Sequence, residues 1–486
     1  MAANLGVERL TPLDLVMANV YTSQLVLFRT TEPLSAVTET LQRGLDALCK
    51  QVPWLSGRVY PTEAAPLQRP GVEIRWTTDD KPPVLANKGL IPLEYDSLAA
   101  AGMPPSSIPD HVWPVPNTNP LREHSSGVGA PVLAVSVFGF GDNQGLGLCV
   151  SMLHSAGDAA GFDQLLRLWA SHVRTRPAAT TPCPVRVEDR QRWLPRALAP
   201  DLDVVSTASL RELFALHPEY TTSPPTPPPA VFPPSACRVL EVPLRQIDLV
   251  KEHVAEHMAA KPSTNTILTA LLWSAVSRVR EKRSPALASE TSELMTAVNG
   301  RRHLIKDSDR TEGQDVYLGN VVSNCLVRLP VIQVSAAHDE EDGRALAALC
   351  EVVSGSTRRA RCSRRHFAEI YSLIDRVDDY RMIRQGWNWF GSRDFATSSW
   401  ANFEIYSTDF GPQLGRPDRL RLRAVEGDGN AIILPRRRRL TADDTPEEVL
   451  EVMLLLRQDD MEALGKDGLW SRFVQGPVST QCRAVQ

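Results

Sequence analysis

Leu148-Cys149-Val150-Ser151-Met152-Leu153-His154-Ser155-Ala156-Gly157-Asp158-Ala159-Ala160-Gly161-Phe162 brings one histidine to the end of an apolar run, where the chain turns from strand to helix. Upstream, Val132 to Phe140 and Leu146 to Leu153 are two β-rich runs. The Gly141-Asp142-Asn143-Gln144-Gly145 stretch between them favours a hairpin. Downstream, Phe162, Leu165, Leu166 and Trp169 recur at helical spacing. An imidazole titrates near neutral pH, which suits proton transfer from an alcohol. Asp158 can fix the local turn or pair with a cation. Taken alone, HxxxD is short, and a histidine and aspartate that merely satisfy loop hydrogen bonds are the commoner case.

The rest of the chain carries further motifs in a fixed order. Leu34 to Tyr60 reads as a helix followed by Pro53-Trp54-Leu55-Ser56-Gly57-Arg58. Thr264 to Trp273, Val298-Asn299-Gly300-Arg301, Tyr317-Leu318-Gly319-Asn320, Ser398-Ser399-Trp400 and Tyr406-Ser407-Thr408-Asp409-Phe410-Gly411 follow. This succession resembles the BAHD acyltransferases in their fungal, trichothecene O-acetyltransferase-like branch. It departs from the plant members, which carry Trp and Gly where Pro412 and Gln413 stand.

The resemblance implies an α/β protein of two chloramphenicol acetyltransferase-like domains, each a mixed β-sheet with flanking helices and with an active-site channel between them. It implies residues 1–205 as the half carrying HxxxD, 206–235 as a proline-rich crossover and 236–486 as the half carrying the DFG turn. His154 is the implied catalytic base. Asp158, paired with Arg301, and Gly157 support its loop. Ser398, Ser399 and the Trp400 indole are candidate oxyanion or donor contacts. Asp409, Phe410 and Gly411 form a structural turn. The implied reaction moves an acyl group, by default acetyl, from acyl-CoA as co-substrate to a hydroxyl or amine of a small secondary metabolite. No permanently bound cofactor and no metal are expected.

Composition agrees with such an enzyme. At 486 residues the chain exceeds the usual size of a single core. A formal net charge of −4 argues against a nucleic-acid partner, whose phosphates call for a basic face. Cys49, Cys149, Cys183, Cys237, Cys325, Cys350, Cys362 and Cys482 form no CxxC pair and read as reduced thiols. The first residues lack a basic and apolar leader, and no stretch suits a membrane span, so a cytoplasmic monomer without a membrane partner is expected.

Proline marks the clearest break, with eight between Pro218 and Pro234; that stretch is expected to be extended and solvent-facing. Pro104 to Pro116 is a second proline-studded loop. Further on, Cys237–Pro243 and Glu293–Val298 read as strands, and Leu244–Ala259 and Ile267–Arg280 as helices. Thr445-Pro446-Glu447-Glu448 has the form of a capping box leading into a helix over Val449–Gln458. Arg436 to Arg439 reads as a solvated strand end or loop rather than a nuclear address or phosphate site.

Two other readings compete. A catalytically silent, carrier-recognising relative of condensation domains would keep the fold, but Leu153 stands before His154 and Ala159 after Asp158, where those domains show HHxxxDG. His253-Val254-Ala255-Glu256-His257 matches the HxxEH zinc-peptidase pattern. Against zinc, the buried stripe of that helix is Ile247, Val250, Val254 and Met258, which puts both histidines on its flank. Strand alternation also sets Cys149 on the face opposite His154, away from any role as a nucleophile.

Overall fold

The hairpin ahead of His154 forms as its residues dictate: Leu133–Phe140 and Gly145–Leu153 pair antiparallel, and Asn143 takes a left-handed φ of 55° in the turn between them. Every residue of Gly145–Leu153 is buried, because it also pairs antiparallel with Tyr21–Arg29. The computed structural model describes residues 5–64, 69–116, 128–174, 185–224, 231–304, 315–338, 343–361, 363–388, 391–440, 445–468 and 470–473.

Two large sheets organise these residues. One has five strands in the order Arg419–Leu422, Tyr21–Arg29, Gly145–Leu153, Leu133–Phe140, Ala86–Ile91. The other has seven: Ser235–Pro243, Pro446–Arg457, Asn430–Ile433, Phe395–Ser399, Thr291–Asn299 and Val322–Pro330 in path order, with Arg437–Leu440 also on Pro446–Arg457. A four-stranded sheet, Leu5–Arg9, Gly71–Thr77, Arg58–Thr62, Ala130–Pro131, completes the N-terminal half. Helices Leu34–Gln51 and Ala159–Arg174 pack together on the five-stranded sheet, and Thr264–Arg283 packs on the seven-stranded one.

The two halves interlock. Strand Arg419–Leu422 leaves the C-terminal half to pair with Tyr21–Arg29. It carries Arg421, which is wholly buried and places all five of its N–H donors. Two go bidentate to Glu451 on the seven-stranded sheet (2.7 and 2.9 Å), and the others to the carbonyls of Gly102, Met103 and Leu420. Phe410 of the DFG turn likewise crosses over, meeting Phe28 edge-on at 5.1 Å between centroids.

Three expectations meet the structure differently. Pro446–Arg457 is a strand and not a helix; the helix starts only at Gln458. A near-continuous apolar run cannot be told from a buried helix by its period, and here pairing on both edges decides it, with Pro446 tolerated as the first strand residue. Pro218 to Pro234 is not solvent-facing throughout: Glu219 and Tyr220 are buried, and Tyr220–Thr221 pairs with Arg384–Gln385, because one proline at its start leaves the next residues free to join a sheet. Residues 225–230 of that stretch lie outside the described ones. Finally, Leu244–Ala255 is a shorter helix than the periodicity suggests.

The four arginines Arg436–Arg439 run into strand Arg437–Leu440, where Arg437 and Arg439 pair with Glu241 and Arg439 also with Glu447. Glu241 stands directly opposite Glu451 in the strand register. The basic run therefore neutralises two adjacent carboxylates.

Arg421→Ala should take from Glu451 its bidentate partner, leaving the more distant Arg437 (3.8 Å) beside the buried carboxylate, and lower stability by about 3 kcal/mol, read from the denaturant midpoint. Burial alone would raise the Glu451 pKa, but the Arg421 guanidinium outweighs it and holds the carboxyl below its ordinary value of 4.5. With the folded value depressed, this stabilisation is present above pH 4.5 and lost as pH falls through the folded value. Acid titration of the unfolding midpoint should be shallower in Arg421→Ala than in the parent chain.

Candidate active site

His154 opens a single turn, His154–Ala156, between the buried strand and helix Ala159–Arg174. Its main-chain N–H donates to Val20 O (2.9 Å), and its carbonyl accepts from Asn320 Nδ2 (3.0 Å). The ring is half-buried, with Nδ1 covered and lacking a partner among the described residues.

Asp158, 2% exposed, organises the turn. Its Oδ1 accepts from the Gly161 N–H (2.9 Å), capping the helix that follows. Its Oδ2 accepts from Arg301 Nη1 (2.9 Å) and from the Val321 N–H (2.8 Å), both in the C-terminal half. Arg301 in turn donates to the carbonyls of Tyr317 and Gly319 and to Asn299 Oδ1. The Asp158–Arg301 pair implied by the resemblance is thus present as a buried, hydrogen-bonded ion pair. The glycines of the motif answer to the same contact. A Cβ on Gly161 would lie 2.1 Å from Leu318 O, and one on Gly157 2.5 Å from it.

Three positioning residues were not singled out from the sequence as site residues: Asp14, Arg190 and Asn320. Asp14 is wholly buried, and its Oδ1 accepts from both the N–H and Nδ2 of Asn320 (2.8 Å each). Arg190 lies against Asp14 and Glu8 (2.9 and 2.6 Å), donates to Ala156 O (2.8 Å) and faces the Trp54 ring. Thr11-Pro12-Leu13-Asp14 carries the signal that would have found Asp14, a capping motif with proline at the first helical position; Asp14 Oδ2 accepts from Thr11 N and Oγ1. Arg190 has no local signal, since its partners are far apart in sequence.

Beside the turn lies a cavity of about 1280 Å³. Arg167 and Arg174 of the helix after Asp158 line it from one half, and Asn299, Arg301, Arg302 and Ser399 from the other; His154 is not among the lining residues. Asn299 and Ser399 end strands that run parallel to each other, and the mouth of such strands is where α/β sheets bind ligands. Burial pushes the Asp163 carboxyl in this cavity up to about 6, Arg167 opposing it.

The other expected site residues are placed as follows. Trp400 Nε1 donates to Ser398 Oγ (3.1 Å), so the indole N–H is already engaged. Asp409 lines the cavity and accepts from the Gly411 N–H (2.8 Å), while Gly411 takes a left-handed φ of 87° that favours glycine. For HxxEH, the helix ends at Ala255, before His257, and the two rings stand 6.4 Å apart edge to face, so the motif does not present two ligands on one helical face. Cys149 is buried with Leu25, Leu27, Phe138 and Phe140, in a cluster separate from that of Val150 and Met152, and burial pushes its thiol up to about 12.

Comparison with known proteins gives a consistent picture. A family model described as Transferase family matches residues 117–469, and one described as Trichothecene 3-O-acetyltransferase-like N-terminal domain matches residues 20–172. The chain is 25% identical to a trichothecene 8-O-acetyltransferase of Fusarium sporotrichioides, over 94% of this chain and 96% of that one. It is 24% identical to a fumigaclavine B O-acetyltransferase of Aspergillus fumigatus, over 94% and 95%. The fold matches that of F. graminearum TRI101, a structure solved with coenzyme A and T-2 mycotoxin, at a TM-score of 0.76 and 18% identity, covering 97% of this chain and 99% of that one.

Gly161→Ala should push Leu318 away from the turn and lower turnover. Gly355→Ala, inside helix Arg344–Arg361 where an added Cβ meets nothing within 4 Å, should leave turnover intact and stabilise by about 1 kcal/mol. Steady-state rates and unfolding midpoints of the two variants check the contrast.

Proposed function

The chain belongs to the Transferase family, the BAHD acyltransferases that its motifs resemble, and from that premise we propose that it is an acyl-CoA-dependent O-acyltransferase of a hydroxylated secondary metabolite, with acetyl as the acyl group. The observation that carries this reading is a histidine presented on a rigidly held turn beside a cavity larger than a usual single-ligand pocket and lined from both halves. Several arginines in that cavity suit an anionic co-substrate such as a coenzyme A ester. The names of the relatives as O-acetyltransferases support an active enzyme over a silent scaffold.

In this reading His154 Nε2 is the working nitrogen, since Nδ1 is covered. It takes the proton of the acceptor hydroxyl as the oxygen attacks the thioester carbonyl carbon. The tetrahedral intermediate then collapses with cleavage of the carbon–sulfur bond, and the imidazolium returns the proton to the coenzyme A thiolate. Ser398 is the proposed hydroxyl donor to the oxyanion, because the Trp400 N–H holds its oxygen and leaves its own proton free. Asp158 and Arg301 position the base and touch no reacting atom.

We further propose that residues 1–205 and 236–486 work as two halves joined through 206–235, and that the protein acts as a cytoplasmic monomer. Support for the reducing compartment comes from Cys49, Cys149 and Cys350, which are buried thiols outside any disulfide. Among the described residues no helix is long and apolar enough to cross a membrane.

His154→Ala should lose on the order of 10²- to 10⁴-fold in turnover while remaining folded, followed as thiol released from acetyl-CoA when a candidate alcohol is added. Near-normal turnover would remove His154 from the mechanism. Cys149→Ala should keep most activity, and mass spectrometry after mixing with acetyl-CoA alone should show no acyl group on the protein; a Cys149 adduct that transfers to acceptor would replace direct attack by a two-step route.

A further inference from the structure

Away from the cavity, a second group of ionisable side chains is buried where the crossover begins. His217 is 1% exposed and lies between two carboxylates: its Nδ1 is 2.9 Å from Glu219 Oε1 and its Nε2 is 3.2 Å from Glu369 Oε2. His366, one turn before Glu369 on helix Arg364–Arg376, faces the same ring at 4.9 Å between centroids. His217, His366 and Glu369 each place one ligand atom within 4.8 Å of the others.

A proton does not satisfy this group. A neutral imidazole carries a single N–H, so if Nδ1 donates to Glu219, the bare Nε2 lone pair of His217 faces a carboxylate oxygen. Protonating His217 answers that contact but leaves His366 Nε2, which is buried and has no hydrogen-bond partner among the described residues. A divalent cation answers all three atoms. Arg365 Nε donates to Glu369 Oε1 (2.9 Å), which leaves Glu369 Oε2 turned toward His217.

We propose that His217 through Nε2, His366 through Nε2 and Glu369 through Oε2 form a binding site for one divalent transition-metal ion of the zinc type, with water completing a four-coordinate shell. Two ligands each about 2.0–2.1 Å from a tetrahedral ion stand roughly 3.3 Å apart, which is the spacing that His217 and Glu369 already have. Glu219 receives the Nδ1–H of His217, the outer contact that metal-bound histidines usually make. Imidazole and carboxylate together suit zinc and its neighbours rather than calcium or magnesium.

The ion is a brace and not part of the acyl transfer. It ties the segment around His217–Thr221 to helix Arg364–Arg376. That helix contributes Phe367, whose ring stands where a Cβ on Gly300 would lie, one residue before Arg301. The site thus stiffens the support of the Asp158–Arg301 pair from behind.

The test uses the full chain, stripped with chelator, dialysed and titrated with zinc chloride by calorimetry, with elemental analysis of the product. One zinc per chain and a higher thermal midpoint with zinc are expected. His366→Ala should abolish both effects, and Glu219→Gln should weaken binding by about 10- to 100-fold. Changing His253 and His257 to Ala should alter nothing. His217→Ala removes a fully buried group and can unfold the chain, so the less buried His366 is the deciding position. Zinc bound equally by the parent chain and His366→Ala, or no zinc taken up by the parent chain, overturns the proposal.

Discussion

A single buried carboxylate, that of Asp158, constrains the rest of the site. An unpaired ionised group at 2% exposure is costly, so the fold has to supply partners for it, and those partners come from three places. The helix start gives Gly161 N–H, the opposite half gives Arg301, and the approach to a neighbouring strand gives Val321 N–H. Meeting that demand draws both halves of the chain onto the turn that carries His154. The close approach explains why glycine stands at 157 and 161, where the carbonyl of Leu318 leaves no room for a Cβ.

Buried polar groups farther from His154 repeat this logic. Asn320 holds the carbonyls of His154 and Ser155, Arg190 holds that of Ala156, and Asp14 braces both donors, so the main chain of the turn is fixed on both sides. Farther out, Arg421 and Glu451 join the five-stranded sheet to the seven-stranded one. In each network the buried charges meet partners of opposite sign, and that is the condition under which buried charge rigidifies instead of destabilising. The catalytic reading draws on this rigidity, because a base contributes only when its geometry is kept.

Much of this was legible in the sequence, where local pattern and motif agreed. The hairpin before His154, the helix after it, the strand at Glu293 to Val298 and the helix around Thr264 to Trp273 follow from period and turn chemistry. The motif order pointed to Asp158 and Arg301 as partners across 143 positions, which no local pattern could do. Legibility failed where tertiary contacts outvoted local signals. Thr445-Pro446-Glu447-Glu448 looks like a helix start, yet the run behind it is a central strand, since sheet partners on both edges are invisible in the segment itself. The basic run at Arg436 to Arg439 likewise gains its meaning only from Glu241 and Glu447 beside it. Arg190 shows the same limit: its partners at positions 8, 14 and 156 are brought together by the fold alone.

The central claim is that Asp158 and Arg301 act as one unit that holds the His154 turn, and a double-mutant cycle tests it most directly. Unfolding free energies and turnover would be measured for Asp158→Ala, Arg301→Ala, the double variant and the parent chain. Strong non-additivity is predicted: each single change removes most of the activity, the double change is little worse than either, and the coupling in stability exceeds about 1 kcal/mol. Additive losses in both quantities would contradict the claim, since the two residues would then act independently and the turn would be held by something else.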